Sequence, residues 1–404
     1  METAEGPRNL LYATTKAGEL VAVDAGSGSV AWAAAFPTGP RYTTSSPAID
    51  PAGTFVYSYA LDGFVHRFRA SDGVEIAGDG WPELATRKPD VEKGSSALAL
   101  ATDRAGRTFL YAANGGYPGD QGDYQGHLTA IDLSTGAQRV FNAACSSRAI
   151  HFDASGSADT DCPHVQTAIW ARSGAVYVAA TDRVYVATGN GAFDGAQYWG
   201  DSVLALSPDA AGLKDSYTPV EFDALDRTDA DLGSTVVAPL ALSSGETLGV
   251  QGGKDGVVRV LRLSNLNGGG SPGATGGEIQ KVGAPGGAEV LTAPAIAPDP
   301  AGGEPWIFVA NSAGIAGYQW DTASGGLVLR WSKSPGGTSP VTAGGVLFVA
   351  SPALLRALDP STGDTLWSDA GIGGVHWQSP IVAEGNVYVE DETGHLTAFS
   401  IDGK

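Results

Sequence analysis

Residues 355–367 read Leu-Arg-Ala-Leu-Asp-Pro-Ser-Thr-Gly-Asp-Thr-Leu-Trp, and residues 20–32 read Leu-Val-Ala-Val-Asp-Ala-Gly-Ser-Gly-Ser-Val-Ala-Trp. Each is a short apolar strand, an Asp-led turn containing glycine, and a second strand that ends on Trp eight residues after the Asp. A third copy keeps Asp132 and Gly136 but has Val140-Phe141 in place of the Trp. Gly-His-Leu-Thr-Ala occurs at 126–130 and again at 394–398. Upstream of this unit, Ser46-Pro47, Thr292-Ala293-Pro294, Ser339-Pro340 and Ser379-Pro380 each open an apolar run. Self-similarity at a fixed period marks a repeat architecture. The strand recurs near 20–24, 64–68, 127–131, 202–206, 256–261, 315–320, 354–358 and 395–399, a period of about 50 residues over 404.

Four short antiparallel strands per unit make one propeller blade. The expected fold is all-β, a single β-propeller over 1–404 with eight blades. Seven is the alternative, because the first copy lacks its Ser-Pro strand and the last lacks its Trp strand, so the termini could share one blade and close the ring. Alternating strands would bury both faces of each sheet, and Trp32, Trp331 and Trp367 are expected to pack between blades.

Composition agrees. Glycine, at 57 residues, is twice the roughly 7% norm, and there is one Met. The apolar share of 43% describes a globular chain. A net charge of −20 argues against nucleic acid, whose phosphates need clustered Lys and Arg. No run of 18 apolar residues suggests a membrane span. The start, METAEGPRNLLY, has neither the basic nor the apolar region of a signal peptide, so export would need a leader ahead of it. Cys145 and Cys162 lie in a polar, loop-like segment with no zinc-ligand pattern, which favours a disulfide over two free thiols and, with it, an exported protein, periplasmic or extracellular.

Extra length falls at 114–126, 142–168 and 207–233, where a repeat ring commonly carries function. Between the last two lies Val-Tyr-Val-Ala-Thr-Gly-Asn-Gly at 184–191, followed by a strand at 202–206. The glycines suit positive φ, and the Asn190 carbonyl is a good ligand for a hard cation; the plainer reading is an Asn-Gly turn.

The repeats resemble the pyrroloquinoline quinone (PQQ) repeat of quinoprotein alcohol dehydrogenases; 22–32 and 357–367 look like that family's tryptophan-docking motif. Further residues match in order. Thr188-Gly189-Asn190 looks like the motif whose Asn ligates calcium, and Trp170 resembles the floor beneath the quinone. Asp231, in Asp-Ala-Asp-Leu-Gly-Ser, falls at the catalytic Asp. Lys254 resembles the cation at the quinone oxygens. The family's blade-3 Glu ligand aligns with Gln121, leaving Asp120 or Asp123 as substitutes, with Asp120 taken as the metal ligand. No adjacent Cys pair and no Cys-x-x-Cys-His haem motif is present. The segment around 199–207 looks closer to polyvinyl-alcohol-dehydrogenase-like exported members.

The resemblance implies PQQ and calcium. Asn190, Asp120 and Asp231 would hold the metal, Asp231 would take the alcohol proton, and Trp170 would stack on the ring. Lys254, Arg148, Arg172, His376 and Trp377 would complete the cofactor site. Each residue also has a structural reading: Asp231 as a turn cap, Lys254 as a solvated turn residue, Trp170 as packing. Three functions stay open: a monomeric PQQ/calcium-dependent alcohol or polyol dehydrogenase, a non-catalytic scaffold that binds protein or glycan, and another funnel-site enzyme such as a lyase.

Overall fold

The computed structural model describes residues 2–3, 6–36, 41–153 and 162–400. The remainder, including 154–161 of the expected insertion and the last residues expected to close the ring, lies outside the described residues.

Apart from the short pair Glu2–Thr3 with Gly6–Pro7, the strands form eight successive antiparallel sheets, the plan of an eight-bladed β-propeller. The eight expected strand copies are all present, and eight blades replaces the seven-blade alternative. Blade 1 has three strands, Leu10–Thr14, Leu20–Asp24 and Val30–Ala34, and lacks the Ser-Pro strand. Blade 8 also has three among the described residues, Ile381–Ala383, Asn386–Glu390 and Leu396–Ser400. In blade 3 both Glu92–Gly94 and Ala99–Thr102 pair with the long strand Thr108–Gly116. Blades 1–4 belong to one compact unit, 1–236 with 269–276, and blades 5–8 to a second, 237–268 with 277–404.

Within each unit the core lies between neighbouring sheets. Leu20, Val56 and Phe68 join blades 1 and 2; Tyr57, Trp81, Leu110 and Ile131 join blades 2 and 3; Phe109, Leu128, Val184 and Leu204 join blades 3 and 4. In the second unit, Val250, Val260, Ile307 and Tyr318 join blades 5 and 6, and Phe308, Trp331 and Leu347 join blades 6 and 7. Central strands are therefore buried on both faces, as in Val203–Leu206 and Trp306–Ala310, whereas the outer strand Thr365–Asp369 is almost wholly exposed. Each fully buried Val, Leu or Phe contributes about 1.5–3 kcal/mol, a term that one blade alone cannot realise.

The repeated Asp-led turn has a common geometry. Asp24 Oδ1 accepts from the Gly26 and Ser27 amides and the Ser27 hydroxyl, and Asp359 Oδ1 accepts from the Ser361 amide and hydroxyl. Those bonds hold both carboxyls below their ordinary range, the Ser27 amide leading for Asp24 and the Ser361 hydroxyl for Asp359. A glycine at positive φ closes each turn, Gly28 at 71° and Gly363 at 71°.

This turn receives the Trp of the preceding blade. The Trp32 indole donates to Ala70 O at 3.0 Å and lies over Gly73, and the Trp331 indole donates to Pro360 O at 2.9 Å and lies over Gly363. Trp367 remains 41% exposed but meets the Phe399 ring of blade 8 edge-on, with centroids 5.4 Å apart. The expected inter-blade role holds for all three. Cys145 and Cys162 form the expected disulfide, packed on Ala144 and Phe152.

Two substitutions isolate the Trp contact. Gly28 and Gly73 share nearly the same φ, but a Cβ on Gly28 meets nothing within 4 Å, while one on Gly73 lies 2.5 Å from Trp32 Cε3. Gly28→Ala is expected to cost about 1 kcal/mol, the left-handed backbone term alone. Gly73→Ala should cost at least twice as much. Urea midpoints measure the difference, and equal losses would remove the docking contact from the account.

Candidate functional site

Blade 4 builds the site at the end of its second strand, Arg183–Ala187. Thr188 anchors the following loop: its amide donates to Ser202 O at 2.9 Å, and its hydroxyl donates to Trp199 O while accepting from the Ser202 amide. Gly189 continues the anchoring, donating to Ala168 O and accepting from the Asp201 amide. The segment is thus a broad, pinned loop between strands and not a two-residue hairpin. Of Gly189 and Gly191, only Gly191 has positive φ, at 152°. Gly189 is required for space, because a Cβ there would lie 2.5 Å from Asp231 Oδ1 and 3.2 Å from Trp170 Nε1. Asn190, Asp231 and Trp170 are therefore brought together at one glycine.

Three carboxylates fasten this loop. The Asn190 amide donates to Asp231 Oδ1 at 2.8 Å, the Asn190 side-chain nitrogen to Asp229 Oδ1 at 3.1 Å, and the Gly191 amide to Asp226 Oδ1 at 2.8 Å. The acids come from a short helix, Phe222–Thr228, in an otherwise β chain, and from the turn that ends it. Asp229 caps the helix in the left-handed region, Leu225 is its buried anchor, and Asp231 opens the 3-10 turn Leu232–Ser234. Gly233 packs on the Thr188–Gly189 backbone with no room for a side chain, and Leu232 N donates to Asp201 Oδ1 at 2.9 Å.

Strain is concentrated beneath the same loop. Gln166 and Thr167 are consecutive non-glycine residues at positive φ, 72° and 57°. A β-branched residue there is costly, on the order of 1–3 kcal/mol, and persists only where the surroundings hold it. Here Thr167 N donates to Asn190 O at 2.6 Å, Gln166 N to Tyr124 O at 2.7 Å, and Gly126 N to Gln166 O at 2.8 Å.

Asn190 is 8% exposed and Asp231 7%. With its nitrogen facing Asp229, Asn190 turns its side-chain oxygen the other way, and that oxygen is buried without a hydrogen-bond partner. A buried acceptor left unsatisfied costs about 1–3 kcal/mol. An oxygen-seeking cation would satisfy it, in a setting made negative by the adjacent acids. Among the described residues no three His, Cys, Asp or Glu side chains are grouped to hold a metal by themselves, so an ion here would need the Asn190 oxygen.

The other expected residues are distributed as follows. Asp120 is exposed and accepts from the Tyr124 hydroxyl at 2.5 Å. Burial pushes that hydroxyl far up, followed by its bond to Asp120 and the charges of Asp120, Asp231 and Asp229. Asp120 is thus tied to Tyr124, on which the Asp231 and Asp229 charges also act. Arg172, two residues beyond Trp170, is pulled down to about 10 by burial, which the Tyr42 hydroxyl opposes. Arg148 is exposed on the disulfide loop. In the second unit, Lys254 lies on the turn before Val257–Arg262, beside the buried Arg259–Asp255 ion pair. His376 and Trp377 precede Ile381–Ala383, with ring centroids 4.5 Å apart. Asp226 and the strained Gln166-Thr167 pair had no motif to announce them.

A profile of the family described as outer membrane protein assembly factor BamB matches residues 3–194 and 275–404. The chain belongs to that family of PQQ-like repeat propellers. No curated protein matches it. Among solved structures it is similar to the quinohemoprotein alcohol dehydrogenase ADHIIG of Pseudomonas putida HK5, at 15% identity and TM-score 0.64, over 95% of this chain and 68% of that one. A europium-containing methanol dehydrogenase matches at 16% identity and TM-score 0.66, over 95% and 81%. BamB from Moraxella catarrhalis matches at 15% identity and TM-score 0.52, over 90% and 86%. At these identities the likeness establishes the fold.

Gly189→Ala tests the geometry. The added methyl should push Asp231 off the Asn190 amide, raising hydrogen exchange at that amide at least tenfold while Ser202 stays protected. Unchanged exchange at Asn190 would show that Asp231 does not hold the loop.

Proposed function

We propose that the protein is a quinoprotein-type dehydrogenase that uses PQQ and calcium to oxidise an alcohol or polyol. The observation that carries this reading is the buried, unpartnered Asn190 oxygen beside Asp231 and Asp229. The oxygen donor set suits calcium. When bound, PQQ accepts hydride and calcium polarises its carbonyl. Asn190 would hold the metal through its side-chain oxygen, with Asp231 and Asp229 supplying negative charge and Asp120 entering on the sequence resemblance. Asp231 would remove the proton from the alcohol hydroxyl, a role that suits a carboxylate kept in place by the Asn190 amide. Trp170 would offer the flat apolar surface on which a planar ring stacks. Arg172 would face a cofactor carboxylate. Arg148, Lys254, His376 and Trp377 enter the proposal on the sequence resemblance. The disulfide supports an exported location.

A second reading, a scaffold that binds protein or glycan, is favoured by the match to the BamB family.

Reconstitution separates the two. Adding PQQ and calcium to the purified chain should produce a bound-quinone absorbance band and alcohol-dependent dye reduction. Asn190→Ala should weaken calcium binding at least tenfold, and Asp231→Asn should lower turnover at least a hundredfold while keeping the band. Absence of any bound quinone at saturating cofactor would leave the scaffold reading.

A further inference from the structure

Four cations of the first unit gather around two tyrosine rings. Lys16 Nζ and Lys93 Nζ each lie 5.3 Å from the centroid of the Tyr42 ring. Arg41 lies 4.7 Å from the centroid of the Tyr117 ring, which meets Tyr42 edge-on at 5.6 Å. Arg172 is close enough to act on both Lys93 and the Tyr42 hydroxyl. The residues come from the turn after Leu10–Thr14, the segment entering blade 2, the innermost strand of blade 3 and the segment entering blade 4. In a chain of net charge −20 with only 24 Lys and Arg, such a gathering runs against the overall field.

Ordinary structural explanations do not account for it. Lys93 is 8% exposed, and its ammonium donates to Thr44 Oγ1 at 2.8 Å. That is one use of three available donors, and Lys93 makes no ion pair among the described residues. Among the described residues neither Lys16 nor Arg41 pairs with a carboxylate either. The nearest acid in sequence, Glu92, is engaged by Lys88 at 3.1 Å and by the Thr86 hydroxyl and Gln125 amide. A buried ammonium costs several kcal/mol unless an anion offsets it, and cation–π contacts return about 0.5–2 kcal/mol each. Burial, and then the Arg172 charge, accordingly pull the Lys93 ammonium down to about 7.

We propose that Lys16, Arg41 and Lys93 form a binding site for a small multivalent oxyanion, of carboxylate or phosphate chemistry, walled by the Tyr42 and Tyr117 rings. The anion would supply the countercharge that Lys16, Arg41 and Lys93 lack among the described residues and take up the unused Lys93 donors. None of Asn190, Asp229, Asp231 and Arg172, the residues given to the cofactor site above, is needed for it, so the proposal stands whether or not the chain is a quinoprotein.

Titration calorimetry of the full chain at low salt, with citrate and with sulfate as probes, tests the proposal. One anion per chain should bind. Citrate at least tenfold tighter than sulfate identifies a carboxylate ligand, and the reverse order a phosphate-like one. Lys93→Gln should weaken binding at least tenfold. Lys93→Arg should retain most of it, and Arg41→Gln, at an exposed position, should weaken it about threefold. Asn190→Ala should leave it unchanged. The groups facing Lys93 are Lys16, Tyr42 and Arg172, and sulfate keeps its charge from pH 6 to 9. Sulfate affinity should therefore rise as pH falls through about 7 and the ammonium forms. Should Lys93→Gln fail to fold, Arg41→Gln and the pH series decide. Absence of binding by either anion, or binding that neither variant nor pH alters, overturns the proposal.

Discussion

The structure depends on burial between sheets. Each blade presents two apolar faces, and the clusters that fill them draw on neighbouring blades. The Trp-on-glycine contact sets how one sheet meets the next within a unit: Trp32 crosses to the Gly73 turn and Trp331 to the Gly363 turn. Glycine supplies both the left-handed φ and the bare surface on which the indole rests. A chain tiled in this way can lengthen loops at blade ends without disturbing its core, and the Asn190 region uses that freedom.

The site itself illustrates how loops become rigid on such a frame. Asn190 is fixed by its amide, its side-chain nitrogen and its carbonyl, held respectively by Asp231, Asp229 and Thr167. One polar atom, the side-chain oxygen, is left without a partner. Fixing every neighbour of an unsatisfied buried acceptor keeps the loop from turning that acceptor toward a protein donor. The strained Gln166-Thr167 pair fits the same pattern, since backbone strain tends to persist where function over-determines the structure.

Much of this was legible in the chain. The period of about 50, the Asp-Ser/Thr-Gly turn and the Trp eight residues on predicted the blades, because each encodes a local geometry. Asn190, Asp231 and Trp170 were legible through motif order, and the structure joins them at Gly189. Other features were not. Of Gly189 and Gly191 only the second takes positive φ, and Gly189 is needed instead to admit Asp231 and Trp170. Asp226 sits on a helix within a chain read as strands. The Lys16–Arg41–Lys93–Arg172 cluster joins separate blades with no motif, so only the folded chain reveals it. Arg259 reads as an ordinary strand residue, yet it is wholly buried on Asp255.

The most direct test of the account is an anomalous-difference map from crystals grown with calcium and PQQ. The account predicts a calcium peak within about 2.3–2.6 Å of the Asn190 side-chain oxygen. A map with no peak there, and with that oxygen turned toward a protein donor, would contradict it.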